Sequence, residues 1–548
     1  MTTAPIAANR PAAPNVPNVP SVRRIARSTT LIIVLFTISK LFSLVQRQII
    51  LNRFGVSTDY DTFIAANTVP EQIFNLIAGG ALGYAFIPVF SDLITRLRGG
   101  ESQPEAVWRL AANVLNTVLI VVLIVAVVIF FAAPWLVANG VAPGFHEGEA
   151  AQTVGLMRVL LLSLIIFSIS GLTTSVLQSY QRFFLPALAP ILYDFGVLFG
   201  AAVLVPRFGI YGLAYGAVLG AAGHFLIQVP GLIAVRARWQ PTIDWRDPNL
   251  RRIVRLMIPR AIGIVLLNIH LIVAISLASR LITGSGTAYS LGWTLMQLPE
   301  TLIGTAMGIV IFPTLAALSS ARDLAGKRSA LSGAWRFILL AAIPVAALIV
   351  LIGRQTIGLL VGGAFTASDV DTIYIVLLAF TPGLIVQSSI EVVARSFYAD
   401  KDTVTPLYIA VLSAVLNMGI DYLVYQTWGV PGLAIANTIA TSVELIVLTL
   451  ILRRRWQGLN DRALWTLAGK TALATVAMSV AIIIAQAIIT AIFGDRTFGT
   501  LIRALIDLIL VALGAGIFIG VALLLNIHEI GDFFRAIRQR GSASTAVL

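Results

Sequence analysis

The chain has 548 residues, of which 58% are hydrophobic and only 11% charged, against about 25% charged in an ordinary soluble domain. Such a chain cannot cover itself with polar surface in water, which excludes a soluble globular enzyme, a disordered protein and a collagen-like fibre. It has no cysteine, so a disulfide, a thiolate nucleophile and a cysteine-based zinc or iron–sulfur site are excluded too.

Residues 1–27 hold five prolines and Arg10, Arg23, Arg24 and Arg27, with no acid and no apolar core. They read as a disordered, basic cytoplasmic tail rather than a secretory signal. From there on, windows of about 20 apolar residues, the length that crosses a bilayer, recur near 28–51, 61–93, 108–133, 153–178, 184–205, 210–234, 252–279, 286–318, 332–353, 370–394, 404–427, 431–452, 466–493 and 500–525. The expected fold is therefore an all-α polytopic membrane protein with about fourteen spans. Charge placement tests the count. With the N-terminus inside, the inside segments and adjoining helix ends hold twenty-eight Lys/Arg, and the outside segments hold six, Arg53, Arg207, Arg280, Arg354, Arg496 and Arg503. Four more, Lys40, Arg47, Arg158 and Arg260, lie within spans. That asymmetry is the positive-inside rule. It puts both termini in the cytoplasm and accounts for the net charge of +13 without any nucleic-acid partner. Trp135, Trp239, Trp428, Trp456 and Trp465 fall at span ends, where interfacial anchoring is expected.

The chain repeats itself. Phe208-Gly209-Ile210-Tyr211-Gly212-Leu213-Ala214 resembles Trp428-Gly429-Val430-Pro431-Gly432-Leu433-Ala434 at an offset of 220, and Pro186 falls on Pro406. Gly79-Gly80-Ala81-Leu82-Gly83 with Pro88 resembles Gly304-Thr305-Ala306-Met307-Gly308 with Pro313 at 225. Copies six spans apart share one membrane orientation, so they are parallel repeats of the kind that transporters rock against each other. The organisation is a tail (1–27), an N-lobe of six spans (28–235), a cytoplasmic linker (236–251), a C-lobe of six spans (252–453), two further spans (466–525) and a cytoplasmic C-terminal tail (526–548). Spans 2 and 8 are interrupted at matching places, by Pro70, Gly79, Gly80 and Gly83 and by Pro299, Gly304 and Gly308. Bent, small-residue helices are either gates or close packing surfaces.

Charges in a bilayer cost about 2.5–3.5 kcal/mol each on insertion scales. Lys40 and Arg47 share a face of span 1, Asp61 and Glu71 lie in span 2, and Arg260 follows Pro259 in span 7. They are candidates to line a polar cavity that takes an anionic head group, or else to pair as internal glue. Glu300, Asp194, Glu391 and Glu444 are further intramembrane acids, and His224 and His270 read as core histidines. Asn417 and Asp421 stand one turn apart with Asn437 across a short link, oxygen ligands suited to Na⁺. No other cofactor is expected. Gly469-Lys470-Thr471 lacks the earlier glycine of a phosphate-binding loop, since Leu464 stands there, and no catalytic constellation is present.

In order along the chain stand Ser39-Lys40, Arg53-Phe54-Gly55, Asp61-x-Phe63, Ala85-Phe86-Ile87-Pro88, Pro186-x-x-Ala189-Pro190, Leu298-Pro299 with Gly304, Gly308 and Pro313, and Arg395-Ser396-Phe397-Tyr398-Ala399-Asp400-Lys401-Asp402-Thr403-x-Thr405-Pro406. These motifs resemble those of the MurJ/MviN family, the lipid II flippases of the MOP exporter superfamily. The resemblance implies two six-helix lobes around a cationic cavity, a lipid-tail groove formed by spans 13 and 14, and flipping of an undecaprenyl-diphosphate-linked peptidoglycan precursor in the bacterial cytoplasmic membrane. It implies membrane lipids, the lipid-linked precursor and cell-wall synthesis enzymes as partners. The family's cavity arginines fall here on Lys40, Gln46, Phe74 and Thr294, and its span 7 acid at the sodium site falls on Ala274. The departures keep two alternatives open: a cation-coupled exporter of another lipid-linked oligosaccharide or a drug, and a non-transporting cell-wall scaffold.

Overall fold

A polypeptide in hydrocarbon must satisfy its own backbone, and a helix does so within one segment. A computed structural model describes residues 42, 43, 45–76, 82–101, 103–459, 461–493 and 499–529, and for residues 259, 260, 267, 461 and 462 the backbone alone. Lys40, Gly79, Gly80 and the Arg260 side chain lie outside the described residues. Among the described residues there is no strand, only an isolated bridge between Gly362 and Phe365.

In chain order the helices are α1 (45–54), α2 (Thr58–Leu76), α3 (Leu82–Arg98), α4 (Pro104–Leu136), α5 (Glu147–Ser179), α6 (Phe184–Phe199), α7 (Tyr211–Leu226), α8 (Pro248–Ala278), α9 (Ser285–Glu300), α10 (Ala306–Ser320), α11 (Leu324–Gly358), α12 (Ala367–Ala399), α13 (Val404–Arg455), α14 (Asp461–Phe493) and α15 (Thr500–Leu524). Eleven continuous helical segments among the described residues are long and apolar enough to cross a membrane; the chain is a multi-pass membrane protein. One of the eleven, α13, has 52 residues, a rise of about 78 Å against about 30 Å of hydrocarbon. It turns at Gly429 (φ 59°, ψ −147°) and so contains two of the expected crossings. α2 and α3 fill the window of the second crossing. The first lies largely outside the described residues, so the count of fourteen rests on the sequence.

The backbone repeats where the sequence does. Gly209 has φ 57°, ψ −144°, matching Gly429. Tyr180 (φ −83°, ψ 9°) ends α5 as Asp400 (φ −81°, ψ 9°) ends α12. Gln181 and Lys401, the next residues, both take the left-handed conformation, at φ 60° and 63°. Within the N-lobe α6 and α7 meet through small residues: a Cβ on Gly196 would lie 2.2 Å from the Gly220 Cα, so only glycine permits that approach.

The lobes are joined at one end by buried hydrogen bonds. Asp61 Oδ1 accepts from the Thr287 backbone N–H at 2.7 Å and the Thr287 hydroxyl at 2.6 Å, and Oδ2 accepts from the Gly284 N–H at 2.7 Å. Asp61 thereby caps α9, a helix of the other lobe, supplying an anion where the helix dipole favours one. Around it Ala364 N–H donates to the Asn52 carbonyl at 2.8 Å, and Gly144 N–H donates to the Ser279 hydroxyl at 3.2 Å. At the opposite end Arg252 and Asp92 pair between α8 and α3 at 3.9 Å, both well exposed.

Between the lobes, residues 237–244 form an irregular strap fastened to α4. Asn116 Nδ2 donates to the carbonyls of Gln240 and Thr242 at 3.0 and 2.9 Å, and its Oδ1 accepts from Trp239 Nε1 at 3.0 Å. Asn113 exchanges two bonds with the Asp244 backbone, at 2.9 and 2.8 Å. α14 and α15 form a separate small core of Leu467, Ala474, Met478, Ile482, Leu510, Phe518 and Ala522 that rests on α11 through Ile352.

One expectation is corrected here. Trp456 is no interfacial anchor: it is 1% exposed, and its Nε1 donates to Asp400 Oδ2 at 2.9 Å. Its ring lies 4.8 Å from Lys327 Nζ. A tryptophan N–H buried at a helix junction finds an acceptor, and here the acceptor is a carboxylate. Trp135, Trp239, Trp428 and Trp465 are largely exposed.

Candidate functional site: a polar cavity between the lobes

The principal cavity between the lobes has a volume of about 640 Å³. Its N-lobe wall comes from α1, α2, α5, α6 and α7; its C-lobe wall comes from α8 and α9 through Leu271, Ile275, Tyr289, Trp293, Thr294 and Gln297. Pro70, inside α2, also lines it. One side is aromatic: Phe167 lies 4.3 Å from Phe74, 5.0 Å from Tyr193 and 5.3 Å from His224. The His224 Nδ1 is satisfied by the Ser170 hydroxyl at 2.7 Å, as a core histidine should be.

Among the described lining residues the charged ones are Arg47, Glu71 and Asp194. Asn67 Nδ2 donates to Glu71 Oε2 at 2.9 Å, and the Ser43 hydroxyl donates to Asp194 Oδ2 at 2.8 Å. The described lining of the cavity is of mixed sign, with Arg47, Glu71 and Asp194, and one expectation is corrected. Asp61 does not line it: at 6% exposure, with its oxygens engaged on α9, it is a latch between lobes. Its partners are two backbone N–H groups and the Thr287 hydroxyl of the other lobe, which the local sequence does not reveal. Phe74 and Thr294 do line the cavity, so the positions at which the resemblance implies arginine are cavity positions here, occupied by an aromatic ring and a hydroxyl.

Span 8 is interrupted as its composition suggests. Beyond Pro299 the helix opens into a π-turn at Thr301–Thr305 before α10. Its glycines are also packing surfaces: a Cβ on Gly304 would lie 2.5 Å from the Ser388 Cα, and one on Gly308 would lie 2.5 Å from the Arg395 guanidinium. Gly83 is looser, 3.6 Å from the Ser175 hydroxyl. Arg395 in turn pairs with Glu391, one turn away on α12.

Asn417, Asp421 and Asn437 are all buried in the C-lobe, at 2%, 0% and 3% exposure. Asn417 Nδ2 approaches Asp421 Oδ1 at 3.4 Å, and Asn437 Oδ1 accepts from Gln387 Nε2 at 3.2 Å. Asn417 Oδ1 and Asp421 Oδ2 are buried without a hydrogen-bond partner. A buried acceptor left alone is costly. Among the described residues no three His, Cys, Asp or Glu side chains cluster; the side-chain oxygens at these positions are two amides and one carboxylate.

The chain is 28% identical over 433 residues to a probable lipid II flippase MurJ of Borreliella burgdorferi, covering 78% of this chain and 83% of that one. It is 26% identical over 521 residues to the probable lipid II flippase MurJ of Vibrio cholerae serotype O1, covering 92% and 97%. Its fold superposes on a lipid II flippase MurJ in an inward closed conformation with a TM-score of 0.73 at 21% identity, covering 89% of this chain and 98% of that one. It also superposes on an inward-facing MATE transporter of the MOP superfamily with a TM-score of 0.65 at 18% identity, covering 79% and 99%. Residues 50–504 match the family described as lipid II flippase MurJ. By that match, over most of its length, the chain belongs to the MurJ family.

Proposed function

We propose that the chain is a transporter, not an enzyme: a flippase that carries lipid II from the inner to the outer leaflet of the bacterial cytoplasmic membrane by alternating access. The observation that carries this reading is the family match joined to a polar cavity between two repeated lobes that are latched together at one end. The Lys/Arg asymmetry supports cytoplasmic termini. In that orientation the Asp61 latch faces outward, and the structure is closed to the outside. Arg47 is the described cation for the diphosphate, with Lys40 and Arg260 as further candidates. A second set of proposals concerns motion and coupling. The break at Pro299 and the π-turn give span 8 a place to bend, with Gly304 and Gly308 sliding on α12; Pro70 and Gly79, Gly80 and Gly83 are the counterparts in span 2. Na⁺ held by Asn417, Asp421 and Asn437 would supply a gradient for the cycle. Cell-wall synthesis enzymes are the protein partners this role implies.

Depletion of the protein in cells with no redundant flippase tests the reading. Lipid II exposure at the outer leaflet should fall; undiminished exposure refutes it. The second reading, export of a different polyprenyl-linked glycan, draws on Phe74 and Thr294 in the cavity wall. One lysine or arginine does not reproduce bidentate arginine–phosphate contacts. Stronger thermal stabilisation by another lipid-linked oligosaccharide than by lipid II would favour it.

A further inference from the structure

We propose that the cavity recognises a primary ammonium group on its cargo through Glu71, beside the anion held at Arg47. The proposal rests on the flippase reading and deepens it. Glu71 lies in the middle of the bundle, yet its side chain is exposed, because it opens on the cavity. Asn67 donates to one of its oxygens, which fixes the carboxylate from one helical turn away. Among the described residues Glu71 accepts nothing else and forms no ion pair. Arg47 faces the same space from α1 and is near enough to act on the Glu71 carboxylate through space, though among the described residues no ion pair closes between them.

A guanidinium and a carboxylate that share one cavity without closing on each other present separated charges of opposite sign. A cargo that carries only a diphosphate would be repelled by Glu71 and would gain nothing from it. It would also lose part of that carboxylate's hydration on binding, a cost without return. A cargo bearing a phosphate and, some distance away, an ammonium turns this liability into two charge-assisted contacts and fixes the direction in which it enters.

The test uses the full-length protein in lipid nanodiscs and two synthetic polyprenyl-diphosphate glycopeptides. They are identical except that a lysyl amine is free in one and acetylated in the other. The free-amine compound should bind the unaltered protein at least about tenfold tighter, as expected for one charge-assisted hydrogen bond. Glu71→Gln should abolish the preference, and Glu71→Asp, which keeps the charge, should retain most of it. Equal affinity of the two compounds for the unaltered protein overturns the proposal and leaves the flippase reading standing; this comparison needs no variant to fold. An undiminished preference in E71Q overturns the role of Glu71. Failure of both compounds to bind overturns the flippase reading itself.

Discussion

Tyr180 and Asp400 occupy the same place in the two lobes, 220 residues apart with the same backbone dihedrals, and hold their lobes together by different forces. Tyr180 stacks on Trp108 with ring centroids 5.9 Å apart and planes 14° from parallel. Asp400 takes the Lys327 ammonium at 2.7 Å, the Ser319 hydroxyl at 2.5 Å and the Trp456 indole at 2.9 Å. One repeat keeps this junction apolar; the other builds it from a nearly buried charge.

That difference predicts an asymmetric response to substitution. Lys327→Met should lower stability by about 3–5 kcal/mol, the cost of removing one partner from a buried pair, with the lower figure favoured because the Asp400 side chain is 22% exposed. Trp108→Phe should cost less. The midpoint of thermal unfolding in detergent reads both.

The same junction sets a pH dependence. Burial raises the Asp400 carboxyl, but bonds from Lys327, Ser319 and Trp456 outweigh it and hold it below the ordinary carboxylate range. At Asp402 burial also acts upward and is outweighed by the Thr405 side chain and backbone and by Arg455. A lowered folded-state pKa means that this stability is present above the unfolded value, near 3.9, and is lost as pH falls through the folded values. Thermal midpoints should therefore drop below about pH 4, and less steeply in Asp402→Asn.

Asp61→Asn should loosen the latch between the lobes. The amide keeps one acceptor, loses the charge opposite the α9 N-terminus and brings an N–H₂ against backbone donors, a loss of about 1.5–3 kcal/mol for a charged hydrogen-bonded group. The chain has no cysteine of its own, so single cysteines placed at the exposed Glu147 and Ile282 accept spin labels cleanly. The distance distribution between them should be narrow in the unaltered protein and extend to longer distances in the variant. An unchanged distribution would show that the latch does not set the closed state.

Arg47→Ala should reduce lipid II exposure at the outer leaflet at least about tenfold, the size of a lost charged contact, while the protein stays monodisperse on gel filtration. Full activity would remove Arg47 as a ligand.

Na⁺, at equal ionic strength with choline as the control, should raise the thermal midpoint of the unaltered protein and leave that of Asp421→Asn unmoved. The oxygens concerned, Asn417 Oδ1 and Asp421 Oδ2, are those left buried without a partner. Equal response of both proteins would rule out a cation at this place.

The spans, the lobes and the repeat were legible in the sequence because hydropathy, basic loops and glycine-rich corners each leave a periodic trace. Glu71 and Arg47 were legible as intramembrane charges, and the structure places both on the cavity. What escaped was decided by long-range geometry. Asp61 looked like a cavity acid, since its partners, the backbone of residues 284 and 287 and the Thr287 hydroxyl, lie far along the chain. Trp456 looked like an interfacial residue, since nothing local announces that a carboxylate 56 positions earlier would draw it inward. The two-sided charge of the cavity needed Asp194 and Glu71 on different helices to be brought to one wall.

The strap held by Asn113 and Asn116 has a mechanical consequence. Only residues 245–247 separate its last fastened residue, Asp244, from α8, which starts at Pro248 under the Asp247 cap. Three residues reach about 10 Å at full extension, so the first turn of α8 is leashed to the N-lobe. The second bundle must swing about that tether like a door on a short hinge, and its travel is largest at the far rim, where the Asp61 carboxylate and the hydrogen bonds around it keep it shut.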